Sequence, residues 1–256
     1  MLRGQRHSVS LSRSFPSATV VILVCALAVS ACGVRSPFRP QAEYEEEIYL
    51  ALDGTATVNV NASIASLVAL RGVDLPTDPH ARVDRMAVRR FFEGPGATVT
   101  SVSLSRRHKR RFAHVAIDVA DVRKLSQLAP FAWSRYRLDV REDAVDFQQT
   151  VGKPAGRAVT NVGWDGSERV SFRMHIPSEI LYHNTPGVLR GNILEWDQPL
   201  TSRLSGDPLD LQVNMEPRSI LYSTLLLFGG TVLAVAATFA IVIWLIARKG
   251  RAAPAA

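Results

Sequence analysis

The sequence predicts an α+β domain built mainly on antiparallel sheet, with two or three short helices, followed by one C-terminal transmembrane helix. Three observations predict it. Short runs that alternate polar and apolar residues recur between residues 44 and 215, bounded by Gly, Pro, Asn and Asp, the period-2 signature of half-buried strands. Only three segments, 63–70, 79–92 and 121–128, carry helix-like spacing or caps. The stretch Leu221–Ile246 runs for 26 residues without a charge, enough for a tilted membrane span.

The elements follow in order. Tyr44–Leu52 and Thr55–Ala62 flank Asp53-Gly54, and Asp-Gly between two such runs predicts a hairpin with a type I′ turn. The acidic residues Glu43, Glu45, Glu46 and Glu47 read as a solvated strand edge, where charge discourages edge-to-edge pairing. Residues 63–70 suit a short helix stopping near Gly72, and Pro79–Phe92 a second closed by Gly94-Pro95-Gly96. Residues 98–104 and 112–119 alternate cleanly on either side of Arg106-Arg107-His108-Lys109-Arg110-Arg111. Asp121 caps a third short helix ending before Pro130. Strands are expected at 134–141, 144–151, 168–176, 188–197 and 209–215. Phe131, Trp133 and Tyr136 read as core.

Charge places the chain at a membrane. The 256 residues carry 30 Lys and Arg against 23 Asp and Glu. Arg3, Arg6 and Arg13 precede the apolar run Ala18–Ala31, and Arg248, Lys249 and Arg251 follow the C-terminal run, leaving 24 bases against 23 acids in residues 33–218. That near-neutral body argues against nucleic acid as a partner. The basic tail after the C-terminal helix places it in the cytoplasm and the preceding domain outside. The 14-residue run Ala18–Ala31 is short for a span and reads as the core of a signal peptide. Val29-Ser30-Ala31-Cys32-Gly33 resembles a bacterial lipobox, which implies lipidation at Cys32; an ordinary signal peptide or an uncleaved anchor is the alternative. The expected layout is a signal peptide over 1–31, an extracytoplasmic domain over 33–218, a span over 219–247 and a cytoplasmic tail over 248–256. Cys25 falls in the signal, so the domain has no thiol for a disulfide or a metal site.

The chemistry-bearing residues form no local catalytic pattern. The six His lack HxxxH, HxH or HExxH spacing, and no GxSxG, P-loop or GxGxxG is present. The expectation is a non-enzymatic protein without metal or cofactor. The residues of interest are Arg106, Arg107, Lys109, Arg110 and Arg111, read as a hairpin tip that is either a solvated turn or a contact with anionic headgroups.

The layout of Cys32, a strand ending at Asp53-Gly54, late strands including Asn192-Ile193-Leu194-Glu195-Trp196, and one helix ending in basic residues resembles the actinobacterial LppM-like lipoproteins and related families of unknown function. The resemblance implies an extracytoplasmic domain with lipid or glycolipid as ligand, and carries over no ligand residues. The expected function is a binding module of the bacterial plasma membrane for lipid, glycolipid or another envelope component. The alternative is a scaffold or accessory subunit of an envelope protein complex. Membrane lipids and an envelope protein are the expected partners.

Overall fold

A computed structural model describes residues 42–189 and 191–251; the signal region, Cys25 and Cys32 lie outside them. Eleven strands are described: β1 (Ala42–Leu50), β2 (Ala56–Ser63), β3 (Ala97–Arg107), β4 (Arg110–Val119), β5 (Ser134–Val140), β6 (Val145–Val151), β7 (Arg169–His175), β8 (Ser178–His183), β9 (Gly187–Val188), β10 (Ile193–Pro199) and β11 (Leu209–Ser219). The helices are α1 (Ile64–Ser66, continuing as a π turn over Leu67–Arg71), α2 (Arg85–Phe92), α3 (Leu200–Ser205) and α4 (Ile220–Arg251).

The strands form a seven-stranded sheet in the order β3-β4-β2-β1-β7-β10-β9 and a four-stranded sheet in the order β5-β6-β11-β8. All described pairings are antiparallel except β1 with β7. The α+β, mainly antiparallel expectation therefore holds, with a second sheet where only helices were expected to cover the first. The core lies between the sheets. Val58, Val60, Ile117, Val170, Phe172 and Met174 come from the large sheet, and Leu138, Phe147, Leu211 and Met215 from the small one. Each such large side chain, fully buried, contributes about 1.5–3 kcal/mol. Phe131, Trp133 and Tyr136 belong to this core, as expected.

Local chemistry explains where the elements differ from the sequence reading. The β1–β2 hairpin forms, but Ala51 and Thr55 close it around a three-residue loop. Only Gly54 in that loop has positive φ, as in a type I turn followed by a left-handed residue. The turn with two successive positive-φ residues is instead His108-Lys109, at 46° and 63°, between the paired Arg107 and Arg110. Helix α2 starts late because the Asp84 carboxylate accepts from Met86 N at 2.8 Å and so fixes the N-terminus there. The segment capped by Asp121 is 3₁₀ rather than α, over Val122–Gln127.

The acidic run is where the sequence reading fails. Strand β1 is not an edge: it lies between β2 and β7, and Glu43 and Glu46 are fully buried. Four carboxylates are tolerated on an inner strand because three meet an arginine and the fourth a histidine. Arg110 pairs with Glu43, Arg173 with Glu45, Arg71 with Glu46 and His175 with Glu47.

Helix α4 follows β11 without a break, and Ile220 N donates to Pro177 O at 3.1 Å. Its most apolar 18-residue window has mean hydropathy 2.4 and is unburied, and the stretch Ile220–Arg248 is long and apolar enough to cross a membrane. Arg248 stacks on Trp244 at 5.3 Å, consistent with an aromatic ring at the boundary between apolar and basic residues.

Candidate functional site

Three features of the domain can carry chemistry: a buried ionic cluster, the basic hairpin tip, and a cleft at the opposite end of the large sheet.

The cluster is centred on Glu46, which projects from the middle of β1 toward the small sheet. Arg71, the last residue of the π turn, reaches it at 2.5 Å, and Tyr136 OH and Gln149 Nε2 donate to it at 3.1 and 2.9 Å. Arg71 also lies over the Trp133 ring at 3.6 Å and the Tyr44 ring at 4.5 Å. Burial pushes the Tyr44 and Tyr136 hydroxyls well above the ordinary tyrosine value, and the negative charge of Glu46 adds to both shifts while Arg71 opposes them. Glu46 comes from one sheet, Tyr136 and Gln149 from the other, and Arg71 from the helical turn between β2 and β3. The cluster fastens these layers together. Arg203 lies within 5.8 Å of the same Trp133 ring, and burial, with Arg71 nearby, pulls its pKa down.

The five basic residues of the tip divide into two groups. Arg110 is a fastener: it meets Glu43, Glu168 at 3.1 Å and Gly163 O at 2.6 Å. Trp164 Nε1 also donates to Glu43 at 3.1 Å, so this knot ties the loop before β7 to β1 and β4. Arg111 is held by the carbonyls of Ala81 and Pro76, and burial lowers its pKa. Arg106, Arg107 and Lys109 are exposed. Arg106 donates to Pro79 O at 2.8 Å, and among the described residues Arg107 and Lys109 make no ion pair. The sequence groups all five as one contact; the structure leaves three of them facing solvent.

The cleft, about 320 Å³, lies between the Pro95-Gly96 loop, the end of β4 at Val119-Ala120, and the 3₁₀ turn carrying Asp121, Lys124, Leu125, Gln127 and Leu128. Two backbone bonds set its walls: Ala120 N to Gly96 O at 2.8 Å and Val122 N to Gly54 O at 2.9 Å. Its interior is Val119, Leu125 and Leu128, with Asp121, Lys124 and Gln127 supplying polar groups. The Asp121 carboxyl accepts from Arg123 Nε at 2.8 Å, and these hydrogen bonds hold its pKa below the usual carboxylate value. Strand register places the cleft. Val119 is level with Ala56 and Leu50, one residue beyond the Tyr49–His175 pair, and Pro177 follows at once. The cleft and the start of α4 therefore share one end of the sheet, three strand spacings or about 14 Å apart across it. The tip is at the other end. Sequence reasoning missed the cleft because nothing local links Pro95 to Leu125; the Asp121 cap and the Gly94-Pro95-Gly96 loop were its only visible parts.

Two of the histidines are engaged within the large sheet. His175 contacts Glu47 at 2.7 Å and stacks on Tyr49 at 3.9 Å, while His114 bridges Asn61 and Ser105. Among the described residues no group of three His, Cys, Asp or Glu is arranged to hold a metal.

No family model matches the chain, and no curated protein matches it in sequence. Among solved structures, the folded domain of Mycobacterium tuberculosis LppM, determined by NMR, is weakly similar, at 12% identity and a TM-score of 0.39. The match covers 72% of this chain and 95% of that one.

Proposed function

We propose that the protein is a non-enzymatic binding module of the bacterial plasma membrane, held by α4 with its domain outside the cytoplasm, and that it binds an apolar or amphiphilic envelope component such as a lipid or glycolipid. The observation that carries this reading is the cleft. Its volume lies at the lower end of the range for small-molecule sites, and an apolar interior with a few polar groups is the usual make-up of such sites. It shares an end of the sheet with the start of an apolar helix, so a ligand dissolved in the bilayer has a short path to it. Asp121, Lys124 and Gln127 would orient a polar head while Val119, Leu125 and Leu128 take the apolar part.

The test is native mass spectrometry of the full chain extracted in mild detergent. The wild type should carry a co-purified lipid, and Ala120→Trp, which fills the cleft from its exposed wall, should remove at least nine-tenths of it. An empty wild type, or equal occupancy in the variant, contradicts the reading.

A second reading rests on a different observation. Strand β8 is an edge of the small sheet and exposes Leu181 and Tyr182, an unpaired edge of the kind that accepts a strand from a partner. It favours an accessory subunit of an envelope complex. Tyr182→Lys would then abolish co-purification of a protein partner without changing lipid content.

A further inference from the structure

We propose that the β3–β4 tip is a membrane contact, with Arg106, Arg107 and Lys109 resting on the anionic headgroups of the bilayer that α4 crosses, so that the domain lies along the membrane instead of standing on it. The proposal does not depend on what the cleft binds.

The first support is placement. Strand β4 runs from Arg110 at the tip to Val119 at the helix end, about 30 Å at 3.3 Å per residue. An upright domain would hold the tip that far above the bilayer. At 0.1 M salt the Debye length is about 10 Å, so an upright tip would feel almost nothing of the headgroup charge.

The second support is the length of chain outside the described residues and the point where it joins. Strand β1 begins at Ala42, and Glu43 is paired with Arg110, so the preceding chain meets the domain at the tip end. Upstream of it is the uncharged apolar run Ala18–Ala31, with Cys32 next to it. If that run stays inserted or Cys32 carries a lipid, the ten peptide steps from Cys32 to Ala42 reach at most about 36 Å. An upright domain would need that segment almost fully extended. A domain attached at both ends of its long sheet is drawn down at both ends.

The third support is charge. The tip region has five bases against Glu43, Glu168, Asp78 and Asp165, the last within Coulombic reach of Arg110. The two glutamates are taken by Arg110, and Asp78 lies beside Arg111. The solvent-facing remainder is cationic and is presented by a two-residue turn at the end of a paired ladder, so little order has to be gained on contact. Stable attachment generally combines one acyl or apolar anchor with a basic patch, and an anchor upstream of Ala42 would join the domain at this same end.

The experiment places a genetically encoded fluorescent amino acid at His80, an exposed position beside the Pro79 carbonyl that holds Arg106, and separately at Glu93, exposed at the helix end. The full chain is reconstituted into nanodiscs of phosphatidylcholine, with or without 30% phosphatidylglycerol, containing a rhodamine-labelled lipid as acceptor. Energy transfer from position 80 should be at least twofold higher in the anionic discs. It should fall to the neutral-disc value in 1 M NaCl and in the Arg106→Gln/Arg107→Gln/Lys109→Gln variant, with smaller changes from position 93. Circular dichroism of the variant should match the wild type, since none of the three side chains is buried. Transfer from position 80 that ignores phosphatidylglycerol, or is unchanged by the triple substitution, overturns the proposal and leaves the tip a solvated turn.

Discussion

The Glu46–Arg71 pair makes a quantitative prediction because its two halves are supported unequally. In Arg71→Met, Glu46 loses its cation but keeps hydrogen bonds from Tyr136 and Gln149 at 3.1 and 2.9 Å. Breaking a buried pair from one side costs about 3–5 kcal/mol, and those two donors place this case near the lower bound, about 3 kcal/mol. In Glu46→Gln, Arg71 keeps Tyr44 OH and the faces of Trp133 and Tyr44 at 3.6 and 4.5 Å. Desolvated cation–π contacts are worth about 2 kcal/mol, so this variant should lose only about 1–2 kcal/mol. The double variant has no unpaired charge and should be more stable than Arg71→Met alone, with a coupling energy of at least about 1 kcal/mol. The assay is urea unfolding of the full chain in detergent micelles, followed by tryptophan fluorescence. Three results would refute the reasoning: a loss under about 1 kcal/mol in Arg71→Met, a larger loss in Glu46→Gln, or additivity of the two substitutions.

Three further predictions follow from other parts of the domain. Tyr44 and Tyr136 have raised pKa values in the folded state, so their contribution is complete below the unfolded value near 10 and is lost as pH climbs from there toward the folded values. Stability should fall by up to about 1.4 kcal/mol per pH unit for each tyrosine, and a urea midpoint unchanged from pH 9 to 11 would contradict it. A Cβ at Gly156 would strike the carbonyl oxygens of Val68 and Ala69, so Gly156→Ala should cost about 1–3 kcal/mol, whereas the same change at the unobstructed Gly230 should leave the urea midpoint where it is. Protease added outside spheroplasts should digest the domain and leave a protected C-terminal fragment of about 35 residues, the size expected for one span and its tail; protection of the whole chain would reject the topology.

Local pattern made most strands legible. The alternation at residues 98–104 and 112–119 marks the β3–β4 hairpin because each strand has one face in the core and one outside. Distance in sequence hid the rest. Glu45 and Glu47 meet Arg173 and His175 from 128 residues away, and Glu43 meets Arg110 from 67, so four acids within residues 43–47 looked like a solvated edge. Strand β8 lies between Pro177 and Pro186 and is six residues long, too short for its alternation to stand out. Arg71 ends an apolar stretch and gives no local sign that its guanidinium turns inward. The tip was legible as charge, but its division into fasteners and free cations depends on Glu43, Glu168 and the carbonyls of residues 76, 79 and 81.

Strand β11 is an inner strand of the small sheet, flanked by β6 and β8, and it is also the last of the described strands. During synthesis, β6 and β8 each wait with a bare edge until residues 209–219 arrive, and bare edges are what aggregation and proteolysis exploit. Because Ser219 is followed directly by Ile220, the residues that close the sheet emerge together with the start of the long apolar helix. Closure of the domain and emergence of its apolar helix are thus a single step in time. Chains ending at residue 207 should be degraded in the cell while full-length chains persist, so the domain would accumulate only with its apolar helix attached.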